Sequence, residues 1–184
     1  MRTITVGELM VPLEAYATVS TEATLREAIL ALEKAQLTLD PSRHKHRAIL
    51  VLEEGGKVVS KITMKQILIA LEPNYGKVEG TGVLERSGYS PDLIRSMLDN
   101  NALWTEPLQF FSERAAKLKV GDLIQAPSED EYIEENATLG EAIHQLIMYP
   151  FLSLLVTSGE SVVGILRLSD VFTKICDTIK GCRG

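Results

Sequence analysis

The chain has 184 residues, enough for one domain or two small subdomains sharing a core, and its 45% apolar and 24% charged residues are ordinary for a folded protein. A formal net charge of -6 argues against nucleic acid as a partner, and no apolar run approaches the length that spans a bilayer, so no membrane partner is expected. Two cysteines, Cys176 and Cys182, cannot build a four-cysteine metal site, and MRTITVGELM at residues 1–10 lacks the apolar core of a signal peptide, so the cysteines read as reduced thiols of a cytoplasmic protein.

The first distinct block is VGELM at 6–10, followed by Pro12. In TEATLREAILAL, 21–32, Thr24 and Glu27 have the spacing of a capping box, in which hydroxyl and carboxylate satisfy the free N–H groups of a first helical turn. Leu25, Ala28, Ile29 and Leu32 then recur at helical spacing. QLTLDPSRHKHR, 36–47, is polar and carries turn residues. Its end, SRHKHR at 42–47, is the densest basic cluster and reads as a solvated loop; His44 and His46 have no partner at ligand spacing, so no metal is expected. AILVL at 48–52 and the run at 58–62 are short and β-rich, and the EEGGK turn between them predicts a hairpin. A second helix follows over about 63–71.

EPNYGKVEGTGVLERSGY reads as loop. SPDLIRSMLDNNAL predicts a helix with Ser90 as cap, Pro91 in the first turn and Asp92 near the positive end. EPLQFFSERAAKLK predicts another, with Pro107 near its start. Trp104, Phe110 and Phe111 are concentrated here and read as a small satellite core, or alternatively as a docking surface.

The chain then repeats itself. VGDLI at 120–124 precedes Pro127, and ATLGEAI at 137–143 carries the capping pair Thr138 and Glu141 and the stripe Leu139, Ala142, Ile143, Leu146. SLLVT at 153–157 and a second run at 162–166 flank the turn SGES, and a last helix is expected over about 168–180. Several matching blocks in one order indicate a duplicated strand, helix, strand, strand, helix unit. Such a unit has a greasy sheet face that it cannot bury alone, so the two should pack sheet to sheet.

VGELMVP, VGDLIQAP, the two ATLxEAI helices and VVGILRLSDVF together resemble a tandem pair of CBS domains, the regulatory module named after cystathionine β-synthase; the last block is similar to that family's Gly-Ile-x-Thr-x-x-Asp ending. The resemblance runs over roughly residues 3–72 and 118–180. Pattern and resemblance together imply an α+β fold: two β-α-β-β-α CBS units related by a pseudo-two-fold. The units are 1–72 and 118–184, with a helical insertion at 73–117 between them. The resemblance further implies a module that binds an adenine-containing nucleotide (AMP, ADP, ATP or S-adenosylmethionine) between the copies and signals by conformational shift to a protein partner. It implies a homodimer and no prosthetic group.

In that family a strand-end Thr holds phosphate and an Asp three residues later holds ribose; a helix N-terminus offers free N–H groups to an anion. Neither copy keeps the complete pair. The first has Thr63 with Gln66, which also read as a capping box, and Lys61 and Lys65 are candidate phosphate contacts. The second has Arg167 with Asp170: Asp170 would accept ribose hydroxyls while Arg167 or Ser169 meets phosphate, or Ser169 and Asp170 merely cap the last helix. Gly164 admits a ligand close to the strand or marks a bend, where the first copy has Ser60. By position in the family, Ala17, Thr18 and Ile133 border the base. No nucleophile with its base, paired carboxylates or Walker-type loop is recognisable, so the chain does not read as an enzyme. The competing reading is a ligand-independent dimerising scaffold with degenerate clefts that interacts through the 73–117 insertion.

Overall fold

The computed structural model describes residues 4–38, 44–72, 74–75, 91–100 and 102–181. Cys182, the start of the basic cluster and residues 76–90, which include Ser90 and most of the expected loop, lie outside them.

The first repeat runs β2 (Thr18–Ser20), α1 (Leu25–Thr38), β3 (Ala48–Leu52), β4 (Val58–Thr63), α2 (Met64–Leu71), after a short leader strand β1 (Val11–Pro12). The insertion supplies α3 (Pro91–Asn100) and α4 (Leu108–Lys117). The second repeat runs β5 (Tyr132–Glu134), α5 (Leu139–Met148), β6 (Ser153–Ser158), β7 (Ser161–Arg167), α6 (Leu168–Gly181). This is the predicted order, twice. The capping boxes form: Thr24 N–H donates to Glu27 Oε2 at 2.7 Å, and Thr138 N–H to Glu141 Oε2 at 2.7 Å. Both glutamates are held below the usual carboxylate range, chiefly by that backbone N–H.

Each copy centres on a hairpin with a parallel outer strand, β2-β3-β4 in one sheet and β5-β6-β7 in the other. The central strands are buried on both faces, and their alternation sorts the core. Ile49 and Val51 face the helices of the first copy, Leu154 and Val156 those of the second. Leu50 and Leu155 point the other way and meet between the sheets with Ile165, Val58, Val11 and Tyr16.

Each leader begins its unit in sequence but packs on the other copy, so the leaders are exchanged. Val6 lies in the core of the second copy, its N–H donating to Ala137 O at 2.9 Å, while Val120 lies in the core of the first, its N–H donating to Ala23 O at 2.9 Å. The glycines of the two VG motifs explain the close docking. A Cβ on Gly7 would stand 3.2 Å from Glu135 O, and one on Gly121 3.0 Å from Thr21 O. Past Gly7 the chain joins β7 as the edge strand β1, making that sheet four-stranded. The physical reason is burial: Val6, Leu9 and Met10 are covered by the core of the opposite copy.

In the insertion, α4 packs on α1 and α2 and buries Ala115 in the first core. Trp104 stacks edge-on against Phe111 at 5.3 Å and donates its indole N–H to Tyr75 Oη at 3.1 Å. Phe110 stays 44% exposed and Trp104 38%, so the expected satellite core forms only as a partly covered cluster of Trp104, Phe111 and Tyr75. Glu72 is buried under this group and accepts from the N–H of Trp104 at 2.6 Å and of Asn74 at 3.0 Å. It thereby ties down Trp104, whose φ of 57° is unfavourable for a bulky residue.

Candidate functional site

The sheet interface has two ends, one for each copy's last strand and helix. At the β7–α6 end, Arg167 is buried and Asp170 stands one helical turn on. Arg167 Nε donates to Asp170 Oδ2 at 2.5 Å and Nη2 to Oδ1 at 2.7 Å. Its Nη1 crosses to the first copy and donates to His44 O at 2.7 Å and to His46 Nδ1 at 3.3 Å. A guanidinium cannot accept, so His46 carries its proton on Nε2. The His46 ring meets Tyr16 edge-on at 4.1 Å. Burial pushes the Tyr16 hydroxyl up to about 12, against the opposing pull of Arg167. His44 Nε2 donates to Thr173 Oγ1 at 2.8 Å, since that hydroxyl gives its own proton to Ser169 O at 2.9 Å.

At the β4–α2 end the cation is Lys61, also buried. Its ammonium pairs with Glu131 at 2.9 Å, donates to Ser153 O at 2.7 Å and lies 5.6 Å from the centre of the Phe151 ring. All three partners belong to the second copy. Burial holds the Lys61 amine below its usual range, with Glu131 opposing. Thr63 and Gln66 form the capping box: Thr63 N–H donates to Gln66 Oε1 at 2.8 Å, and Gln66 N–H to Thr63 Oγ1 at 3.2 Å.

The expected site residues therefore divide. Arg167, Ser169 and Asp170 are together at one end, Lys61, Thr63 and Gln66 at the other, with Lys65 exposed on the first turn of α2. Ala17 and Ile133 are core residues of their own copies, and Thr18 sits at the start of β2 in register with Leu50. Gly164 faces the leader. A Cβ there would stand 2.6 Å from Val11 O and 2.8 Å from Met10 Sδ, so the bare α-carbon admits β1. Its counterpart Ser60 donates to Gln125 O at 2.7 Å, the matching point of the other leader.

Sequence reasoning missed Tyr16, His46, Glu131, Phe151 and Ser153. It took His46 for part of a solvated loop, yet the residue is 1% exposed. A signal was present. His46 is in phase with Ala48 and Leu50 on the sheet-facing side of β3, as Phe151 is with Ser153 and Leu155 on β6. Period two carries both rings into the interface. A surface depression along α5, from Thr138 to Tyr149, contains none of these residues.

Comparison with known proteins agrees with this architecture. The CBS domain family model matches twice, at residues 6–73 and 120–177. Among solved structures, the chain is similar to a CBS domain-containing protein of unknown function from Bacillus anthracis, at 18% identity over 96% of this chain and 95% of that one, TM-score 0.61. It is similar to the CBS-pair protein CBSX2 from Arabidopsis thaliana, at 18% identity over 96% of both chains, TM-score 0.61. CBSX2 in complex with AMP matches at 18% identity over 95% of this chain and 97% of that one, TM-score 0.58. No curated protein matches the sequence.

Proposed function

Because the chain belongs to the CBS domain family, with two matched copies, we propose that it is a regulatory CBS-pair module that binds an adenine-containing nucleotide at the β7–α6 end of the sheet interface. The observation that carries this reading is the Arg167–Asp170 pair. Each member holds on the other a stand-in for what a nucleotide brings. The Asp170 carboxylate sits on Arg167 as a phosphate would, and the Arg167 guanidinium gives Asp170 the donors a ribose diol would give. A nucleotide can exchange with the pair without stranding either charge. AMP bound to CBSX2 supports the ligand class.

Ser169 and the first turn of α6 complete the anion end, with Tyr16 and His46 forming the wall across the cleft. The bound state differs from the free one in the Nη1 bonds of Arg167 to His44 and His46, so ligand shifts the relative placement of the two copies. A protein partner reads that placement. On this reading the protein acts as a cytoplasmic homodimer without catalysis, its units dividing at 1–72 and 118–184 around the 73–117 insertion.

The test is a thermal-shift and calorimetric titration with AMP, ADP, ATP, S-adenosylmethionine and GMP, on the native chain and on Asp170→Ala. A melting temperature raised by one adenine ligand and not raised in Asp170→Ala supports the reading. No binding at millimolar concentration sinks it.

A second reading has its own observation: both ends of the interface are already crossed by the chain's own cations, Lys61 and Arg167. It makes the protein a ligand-independent scaffold that dimerises and acts through the insertion. It predicts a dimer that survives dilution and ignores all five ligands.

A further inference from the structure

We infer that Lys61 fills the β4–α2 end as a built-in cation, so that the chain offers one exchangeable cleft and is pinned at the opposite end. The stoichiometric part of this rests on the nucleotide reading above; the filling itself does not.

The argument starts from the strand. After the irregularity at Val51/Leu52, β4 places Leu50 opposite Lys61, and the same register on the other hairpin places Leu155 opposite Ile165. Lys61 and Ile165 are thus equivalent positions facing the other sheet. Ile165 fills its position as a fully buried apolar residue. Sheet packing alone therefore does not require a cation here, and burying one carries a desolvation cost. The ammonium takes its partners from the second copy: a carboxylate at 2.9 Å, a carbonyl at 2.7 Å and a ring face.

The neighbouring groups are committed as well. Thr63 and Gln66 satisfy one another in the capping box. Ser60 donates to Gln125 O. An incoming phosphate would have to take Lys61 from Glu131 and leave that half-buried carboxylate facing it. The β7–α6 end differs in kind. Its carboxylate and guanidinium are three residues apart on one copy, so exchanging them for ligand does not break a salt bridge between the copies. Lys61–Glu131 is such a bridge. Movement driven at Arg167 consequently pivots on the Lys61 end.

Two measurements on the full chain test this. Calorimetric titration with AMP and ATP gives the stoichiometry, expected as one nucleotide per chain. Amine acetylation with an activated acetate ester, read by mass spectrometry, gives the accessibility of Lys61. Lys61 should react on the order of ten-fold more slowly than exposed Lys45 and Lys57, equally with and without nucleotide. Glu131→Gln should speed Lys61 while leaving Lys57 unchanged. Two nucleotides per chain, or Lys61 labelling that changes on nucleotide addition, overturns the inference. If no nucleotide binds, the nucleotide reading fails alone: slow Lys61 labelling that Glu131→Gln relieves still supports the filled end, and labelling as fast as Lys57 overturns it.

Discussion

Both carboxylate oxygens of Asp170 are engaged by the guanidinium of Arg167, one turn away, at 2.5 and 2.7 Å. The Arg167 side chain is 7% exposed and that of Asp170 16%. Asp170→Ala leaves a buried cation with only its bonds to the first copy, and should destabilise the fold by roughly 2–3 kcal/mol, a little under the cost of breaking a fully buried pair. Arg167→Met combined with Asp170→Ala should recover most of the loss. Urea unfolding of the two singles and the double measures the coupling. Additive singles would mean the pair contributes no interaction energy.

Gly164→Ala should cost about 1–3 kcal/mol, because its new methyl meets the backbone of Val11, which cannot swing aside as the Met10 side chain can. The damage should be local to the leader. Hydrogen exchange should quicken at Ile165 and the residues around Val6 before it quickens at Leu50. Uniform loss of protection would show that the leader is not a separable layer.

Tyr16 supplies a pH dependence. Its hydroxyl titrates near 10 when unfolded and about 12 in the fold, so the neutral form is favoured by folding. The stabilisation is fully present below pH 10 and is lost as pH rises towards 12. The difference corresponds to roughly 2–3 kcal/mol. Tyr16→Phe should flatten the stability curve across that window relative to the native chain, apart from a constant offset. Parallel curves for the two proteins would mean that Tyr16 is not desolvated.

Glu72→Ala removes the acceptor of two backbone N–H groups and should destabilise the insertion by about 2 kcal/mol. Trp104 is the sole tryptophan, so its fluorescence reports the site directly. Emission should move to the red and anisotropy should fall, with little change in far-ultraviolet circular dichroism. Unchanged emission would mean that Trp104 is held by Phe111 and Tyr75 without Glu72.

Duplication, element order and caps were legible because they are local. Thr138 and Glu141 are three residues apart, and Leu139, Ala142 and Leu146 carry their own period. The leader exchange was not, because Val6 is compatible with either copy until the cover available in three dimensions is known. The candidate site was legible by half. Arg167 and Asp170 were read as neighbours, but that they satisfy each other depends on rotamers, not on spacing. The partners of Lys61 lie just before β5, just before β6 and at the start of β6, and no local pattern places Glu131, Phe151 and Ser153 around one ammonium.

The exchanged leaders also set an order of events during synthesis. The first core needs Val120, so the amino-terminal half leaves the ribosome before its last apolar side is covered. The second core needs Val6, made before either copy's helices and sheets, and it must wait for Ile133, Leu139 and Leu154 to emerge. Neither half completes its core in sequence order. Contacts this distant along the chain slow the search for the native arrangement.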